Sequence, residues 1–249
     1  MADVDLPPAR KRDRLKERAW RYVPVPVSVR TSDLPKRVVS ALVMLAVAGL
    51  ALWLGGVWLQ AFILLVAAAT FGEFARLVWR ATANPLWRAA ALFAGIVYIG
   101  LAGLFLTQFP LAIIGGVVGA VIFVDSFAYG FGRTIGGPKI APSISPSKTW
   151  AGLLGGIVGA SVWTFGWLRW IGGGGTWEPT VVAIGQLIAV GAIIAVAAQS
   201  GDFFESWLKR KAHMKDSSNL IPGHGGVFDR TDGLIPVILL AGFFAIGSA

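Results

Sequence analysis

The chain has 249 residues, 55% of them hydrophobic and only 14% charged, with no Cys and a formal net charge of +9. A soluble domain carries about 25% charged residues, so this composition, with a mean hydropathy of +0.69, excludes an ordinary water-soluble globule and points to a membrane. The missing Cys rules out disulfides, thiolate zinc sites and thiol nucleophiles, and the basic excess is distributed for lipid headgroups and membrane orientation, not for nucleic acid.

Residues 1–36 form a polar, basic arm with Pro7, Pro8, Pro24, Pro26 and Pro35. Within it, Arg10 to Arg21 is patterned for a short surface helix. The first apolar run begins only at Val38 and is too long for a signal-peptide core. Orientation by the positive-inside rule is the favoured reading of the arm, ahead of attraction to anionic lipid.

The remainder, 37–249, reads as an all-α polytopic membrane domain. Seven spans are predicted, at 38–57, 59–78, 87–107, 110–130, 150–170, 180–200 and 233–248, each near the ~20 residues a crossing helix needs. Little more than Gly55-Gly56 separates the first two, and the last is short. With the N-terminus cytoplasmic, the cytoplasmic segments hold 21 of the 22 Lys and Arg; only Arg169 lies outside. That asymmetry predicts a cytoplasmic N-terminus and an external C-terminus.

Two polar stretches interrupt the apolar pattern. The first is Asp125-Ser126, near the end of the fourth span, followed by Gly132-Arg133 and by Ser145-Pro146-Ser147-Lys148-Thr149-Trp150. An acid in an apolar run is costly and marks a functional candidate, or else an interhelical hydrogen bond. Ser145, Ser147, Thr149 and Lys148, before a helix starting near Trp150, suit a phosphate cradle; an N-cap and an ordinary basic loop residue are the plainer reading.

The second stretch runs from Gly201-Asp202 through Glu205-Ser206-Trp207-Leu208-Lys209-Arg210, Lys215-Asp216 and Pro222-Gly223-His224-Gly225-Gly226 to Asp229-Arg230-Thr231-Asp232. It holds five of the thirteen acids and both histidines. Topology alone accounts for Lys209, Arg210 and Lys211, and Gly and Pro commonly mark turns. Neither accounts for acids and bases interleaved over thirty residues. Asp229 and Asp232 share one face of a helical turn, close enough to hold a cation together. The glycines around His224 let backbone N–H groups approach an anion.

In order and spacing, Ser206-x-Leu208-Lys209-Arg210, Lys215-Asp216, Pro222-Gly223-His224-Gly225-Gly226 and Asp229-Arg230-x-Asp232 resemble the signature of the phosphatidate cytidylyltransferases, the CDP-diacylglycerol synthases. Asp125 with Ala128-Tyr129, Gly132-Arg133, Ser145-Pro146-x-Lys148-Thr149-Trp150 and Glu73 match the family's upstream motifs. Ala151 stands where the family usually has Glu. The resemblance covers roughly 37–249 and leaves the basic arm outside.

The resemblance implies a cytidylyltransferase domain in the bacterial inner membrane, with its site facing the cytoplasm. CTP and phosphatidate would be the substrates, membrane lipid the surroundings and a second copy of the chain a partner. Its reaction gives CDP-diacylglycerol and pyrophosphate. The phosphate nucleophile is already ionised near pH 7, its second pKa being about 6, so cations matter more than a general base. Asp125, Asp202, Asp229 and Asp232 are accordingly assigned to metal, with Asp216 a weaker candidate. Lys148, Lys209, Arg210, Lys215 and Arg230 would neutralise phosphates. Ser145, Ser147, Thr149, Ser206, His224, Gly225 and Gly226 would position them, His224 as a donor in preference to a ligand. The oxygen ligands suit Mg²⁺, with room for a second ion. Two rival classes remain: a membrane CTP-dependent enzyme acting on another lipid or polyprenol phosphate, and an ion or solute transporter. The second predicts charges scattered at mid-membrane, whereas here they gather at one side.

Overall fold

A computed structural model describes residues 34–173 and 180–247; the basic arm before Leu34, with its expected surface helix, lies outside them. The described chain runs α1 (Leu34–Leu54), α2 (Gly56–Ala81), α3 (Pro85–Gln108), α4 (Leu111–Thr134), β1 (Lys139–Ala141), β2 (Ser145–Thr149), α5 (Trp150–Ile171), α6 (Val181–Lys211), α7 (Phe228–Thr231) and α8 (Leu234–Gly247). The protein is an all-α polytopic membrane protein. Helices α1 to α6 are long and apolar enough to cross a bilayer, and α8 is an apolar helix of 14 residues.

Local chemistry sets the breaks. Gly55 (φ 62) and Gly56 (φ 47) turn the chain between α1 and α2, a left-handed conformation open to Gly at little cost. Asn84 caps α3, its side chain accepting from the N–H groups of Leu86 and Trp87, with Pro85 at the first helical position, where its missing N–H costs nothing. Thr149 caps α5 through the Gly152 N–H at 3.0 Å. The segment expected to be a loop before Trp150 contains a two-stranded antiparallel hairpin, Lys139 opposite Thr149 and Ala141 opposite Ser145.

Close packing of α4 on α5 holds the centre. A side chain at Gly155 or Gly159 of α5 would lie 2.6 Å from the Phe127 carbonyl or 2.5 Å from that of Phe123, so the backbones are nearly in contact, as small residues allow in membranes. In return, α5 sends Trp163 and Trp167 onto α4, where their indole N–H groups donate to the carbonyls of Gly116 and Ala112, each at 2.9 Å. Val124, Ala160, Ala195 and Ala198 form the buried layer beneath the charged end. Outward faces carry Leu45, Leu65, Phe93 and Val181, as expected where the solvent is lipid.

The largest difference from the sequence reading concerns α6. It does not stop near residue 200 but continues to Lys211. Asp202, Glu205, Ser206 and Lys209 therefore stand on a rigid helix at three- and four-residue intervals, on one face.

Candidate active site

The last turns of α6 present Asp202, Glu205, Ser206 and Lys209 to a chamber of about 380 Å³. Opposite them stand Asp125 from α4 and Lys148 from β2, and the segment after α6 adds Asp216, His224, Asp229, Arg230 and Asp232. Residues from both polar stretches of the sequence thus line one space. Helix-end charge favours this arrangement, since Lys209 and Arg210 lie where the α6 dipole is negative.

Six acids face three Lys and Arg side chains in the chamber. The acids are partly neutralised from within. Lys148 is paired with Asp202, and Lys209 bridges Glu205 (2.5 Å) and Asp229 (2.7 Å). Asp232 has no such ion pair among the described residues: burial, and next the Asp202 carboxylate, push its carboxyl up to about 7 against the weaker pull of Lys209. Burial also works to raise Asp229, but interactions with Glu205, Lys209 and the Gly226 N–H outweigh it and hold that carboxyl below its usual range. One oxygen of Glu205 is buried with no hydrogen-bond partner.

The segment from Ser217 to Phe228 is held from beneath by α2. Glu73, buried, accepts from the Ser217 hydroxyl (2.7 Å), the Ser218 hydroxyl (2.6 Å), the Val227 N–H (3.0 Å) and the Phe228 N–H (2.8 Å). Oδ2 of Asp229 takes the N–H groups of Ser217 (3.0 Å) and Gly226 (2.7 Å) and lies 2.8 Å from the Ser217 hydroxyl. Its other oxygen, Oδ1, faces Lys209. From the other side, α1 reaches the same loop: the Ser40 hydroxyl lies 2.9 Å from the Pro222 carbonyl and 2.8 Å from Nδ1 of His224.

Several expected site residues have other tasks. The N–H groups of His224 and Gly226 turn inward, to the Ile221 carbonyl and to Asp229, and do not form an open anion cradle. Gly226 is Gly because a side chain there would collide with Ser217 and Glu73; Gly225 (φ 84) turns the loop. Arg210 points to the Ile144 carbonyl. Ser145 is buried in the hairpin and Lys215 is exposed. Ser147 and Thr149 line a neighbouring cavity that shares Asp125 and Lys148 with the chamber.

Other residues at the site were not assigned to it from sequence. Glu205 could have been found by its spacing, three residues after Asp202 and four before Lys209. Glu73 stands in one of the family's upstream motifs, but its task, like those of Ser217 and Ser40, is set across long stretches of sequence and no local pattern reveals it.

A family model described as the cytidylyltransferase family matches residues 77–246, a span that includes every acid lining the chamber. The chain belongs to the cytidylyltransferase family. It is therefore a nucleotidyltransferase. The phosphatidate cytidylyltransferases of Brucella abortus biovar 1 and Brucella suis biovar 1 are each 30% identical to it over 260 aligned positions, covering 86% of this chain and 93% of theirs. That of Rickettsia felis is 55% identical over 49 residues, 20% of this chain and 22% of its own. Glu73 and Ser40 precede the part matched by the cytidylyltransferase model.

Proposed function

We propose that this cytidylyltransferase is a CDP-diacylglycerol synthase that joins phosphatidate to CTP at the cytoplasmic face of the membrane. One observation carries the reading: acids and cations from α4, β2, α6 and α7 converge on a single chamber at one end of an apolar helical bundle. There a lipid phosphate meets a nucleotide while its acyl chains stay in hydrocarbon. Withdrawing those chains into water would cost about 0.8 kcal/mol per CH₂. The charges gather at this end, which speaks against the transporter alternative.

In the reaction an ionised oxygen of phosphatidate attacks the α-phosphorus of CTP. A new P–O bond forms, the bond from Pα to the oxygen bridging to Pβ breaks, and pyrophosphate leaves with the electron pair. No general base is required of the chain. Lys148, Lys209 and Arg230 lie where they can offset phosphate charge, while the rigid α6 face and the Glu73-anchored loop keep them in register.

Excess acid would repel two polyanions, so the chamber suits a divalent cation. Among the described residues no three acids are already gathered as a metal cluster, and Lys148 and Lys209 lie on carboxylates of the chamber. The donor set nevertheless fits a hard ion: oxygen ligands throughout, an Asp232 carboxyl held up by burial and then by Asp202, and an unpartnered Glu205 oxygen. Asp125, Asp202 and Asp232 would hold Mg²⁺, with Asp229 contributing Oδ1. When bound, the ion supplies charge stabilisation to the phosphates and the departing pyrophosphate.

The test is incubation of purified protein with labelled CTP and Mg²⁺, together with either phosphatidate or a polyprenyl phosphate. Labelled CDP-diacylglycerol is expected. Turnover of the polyprenyl phosphate alone would overturn the reading.

A further inference from the structure

Two cavities meet at Asp125 and Lys148. One is the charged chamber. The other, of about 400 Å³, lies between the end of α4, β2, the start of α5 and α6, within the ~300–1,000 Å³ usual for small-molecule pockets. Its character differs from the chamber's. Ala128 and two glycines give it a smooth wall, and Tyr129 and Arg133 stand at its exposed rim. These two brace each other: Arg133 donates to the Tyr129 hydroxyl at 2.7 Å, with its guanidinium 5.9 Å from the ring centre.

Gln199 of α6 also lines this cavity. It is only 5% exposed, and its side-chain oxygen is buried with no hydrogen-bond partner. Leaving such an acceptor unmade costs about 1–3 kcal/mol. In a cavity wall, an orphan of this kind calls for a ligand that brings a donor.

Which ligand brings one follows from the two substrates, and in this the inference rests on the function proposed above. The glycerol oxygens of phosphatidate are all esterified and its phosphate is ionised, so it offers acceptors. The nucleotide offers its ribose hydroxyls and the amino group of cytosine, and of these the amino group has a fixed acceptor, N3, beside it in the plane of the ring. A Gln amide presents an acceptor and a donor side by side and is complementary to that edge. We infer that this cavity receives the base of the nucleotide, and that the Gln199 amide pairs with the amino and N3 edge of cytosine.

The reach agrees. Gln199 lies one turn before Asp202, about 4.5 Å along α6 at 1.5 Å per residue. A base at Gln199 leaves the ribose in the cavity and the α-phosphate at the Asp125–Lys148 wall. The β- and γ-phosphates then lie in the chamber, near Lys209 and Arg230.

Two variants of the full chain in detergent test this: Gln199→Leu, and Ala128→Leu, which fills the cavity from α4. Equilibrium dialysis of labelled CMP and labelled pyrophosphate reads the base pocket and the phosphate chamber separately, without turnover. KM values for CTP and phosphatidate complete the set. Both variants are expected to weaken CMP binding and raise the KM for CTP at least tenfold, with pyrophosphate binding and the KM for phosphatidate within twofold of wild type. A raised KM for phosphatidate with CMP binding intact would assign the cavity to the lipid and overturn the inference. So would parallel loss of CMP and pyrophosphate binding, or no change in either. If Gln199→Leu does not survive purification, Ala128→Leu decides alone. Wild-type protein that binds CMP but makes no CDP-diacylglycerol would sink the proposed function and leave the base pocket standing.

Discussion

Glu73 accepts the backbone N–H of Phe228, 155 residues away, at 2.8 Å. Through this bond and three others, one buried carboxylate of α2 carries the loop that presents Asp229, Arg230 and Asp232. Glu73→Gln replaces one acceptor oxygen with an NH₂ group that faces a Ser hydroxyl and a backbone N–H; the hydroxyl can turn to accept, but the N–H is left donor against donor. Each buried group left unpaired costs about 1–3 kcal/mol, and a protein of this size loses roughly 2–4 °C per kcal/mol. A fall in Tm of several degrees is expected, with turnover falling further than CTP affinity. An unchanged melting curve would show that the loop is held by something else.

Gly201 precedes Asp202 on α6, and a side chain there would collide with the Asp232 carbonyl oxygen. The two acidic segments meet backbone to backbone at this point. Gly201→Ala is therefore expected to leave the helices folded while pushing Asp232 away from Asp202. Turnover should drop at least a hundredfold, with far-UV circular dichroism unchanged. Activity within threefold of wild type would mean that the spacing between these acids does not matter.

The Asp232 carboxyl, raised to about 7 in the fold, stands above its ordinary value near 3.9. Between those values the native state binds more protons than the unfolded state, so this group makes stability fall as pH rises through the window. A divalent cation reverses this by favouring the ionised form. Metal-free protein should melt at lower temperature at pH 8 than at pH 5, and added Mg²⁺ should raise Tm more at pH 8. An equal Mg²⁺ effect at both pH values would count against Asp232 as a ligand.

Much of the site was legible because charges stand out in an apolar chain. Asp125, Lys148 and the Asp202–Asp232 stretch were visible as residues that lipid would not tolerate without a partner. What hydropathy could not show is that α6 ignores the change in composition. The apolar run ends near residue 200, but nothing there breaks the backbone, so the helix continues to Lys211. The hairpin was missed because strands of three and five residues leave no periodic trace. Gln199 reads as one polar residue at the end of an apolar run; Glu73 stands in a family motif, but its task as an anchor does not show because its partners lie 144 to 155 residues away.

Orientation can be read without fusions, because the chain has no Cys. Lys215 is exposed beside the chamber, and Thr180 is exposed at the opposite end of α6. A 31-residue helix at about 1.5 Å per residue spans some 45 Å, more than the ~30 Å hydrocarbon core. In intact cells a membrane-impermeant maleimide is expected to label Thr180→Cys and to reach Lys215→Cys only after the membrane is opened. Labelling of both from outside would put the chamber on the wrong face for CTP.

Ser40 links the first helix to the chemistry. Its hydroxyl has one proton, and the Pro222 carbonyl at 2.9 Å and the Arg37 carbonyl at 3.1 Å are both acceptors. Its contact with Nδ1 of His224 at 2.8 Å holds the ring, with the donor set by the tautomer of the imidazole. His224 lines the chamber, so in the proposed reaction Ser40 is a positioning residue for that ring. Ser40→Ala frees the ring and unties Pro222. At about 0.5–1.5 kcal/mol per hydrogen bond, and tenfold in rate per 1.36 kcal/mol, kcat should fall roughly two- to tenfold. Ser40→Thr keeps the hydroxyl and should restore it, whereas a purely packing role would favour Ala over the larger Thr. If Thr is as poor as Ala, the hydroxyl is not what positions His224; if Ala matches wild type, α1 has no part in the site.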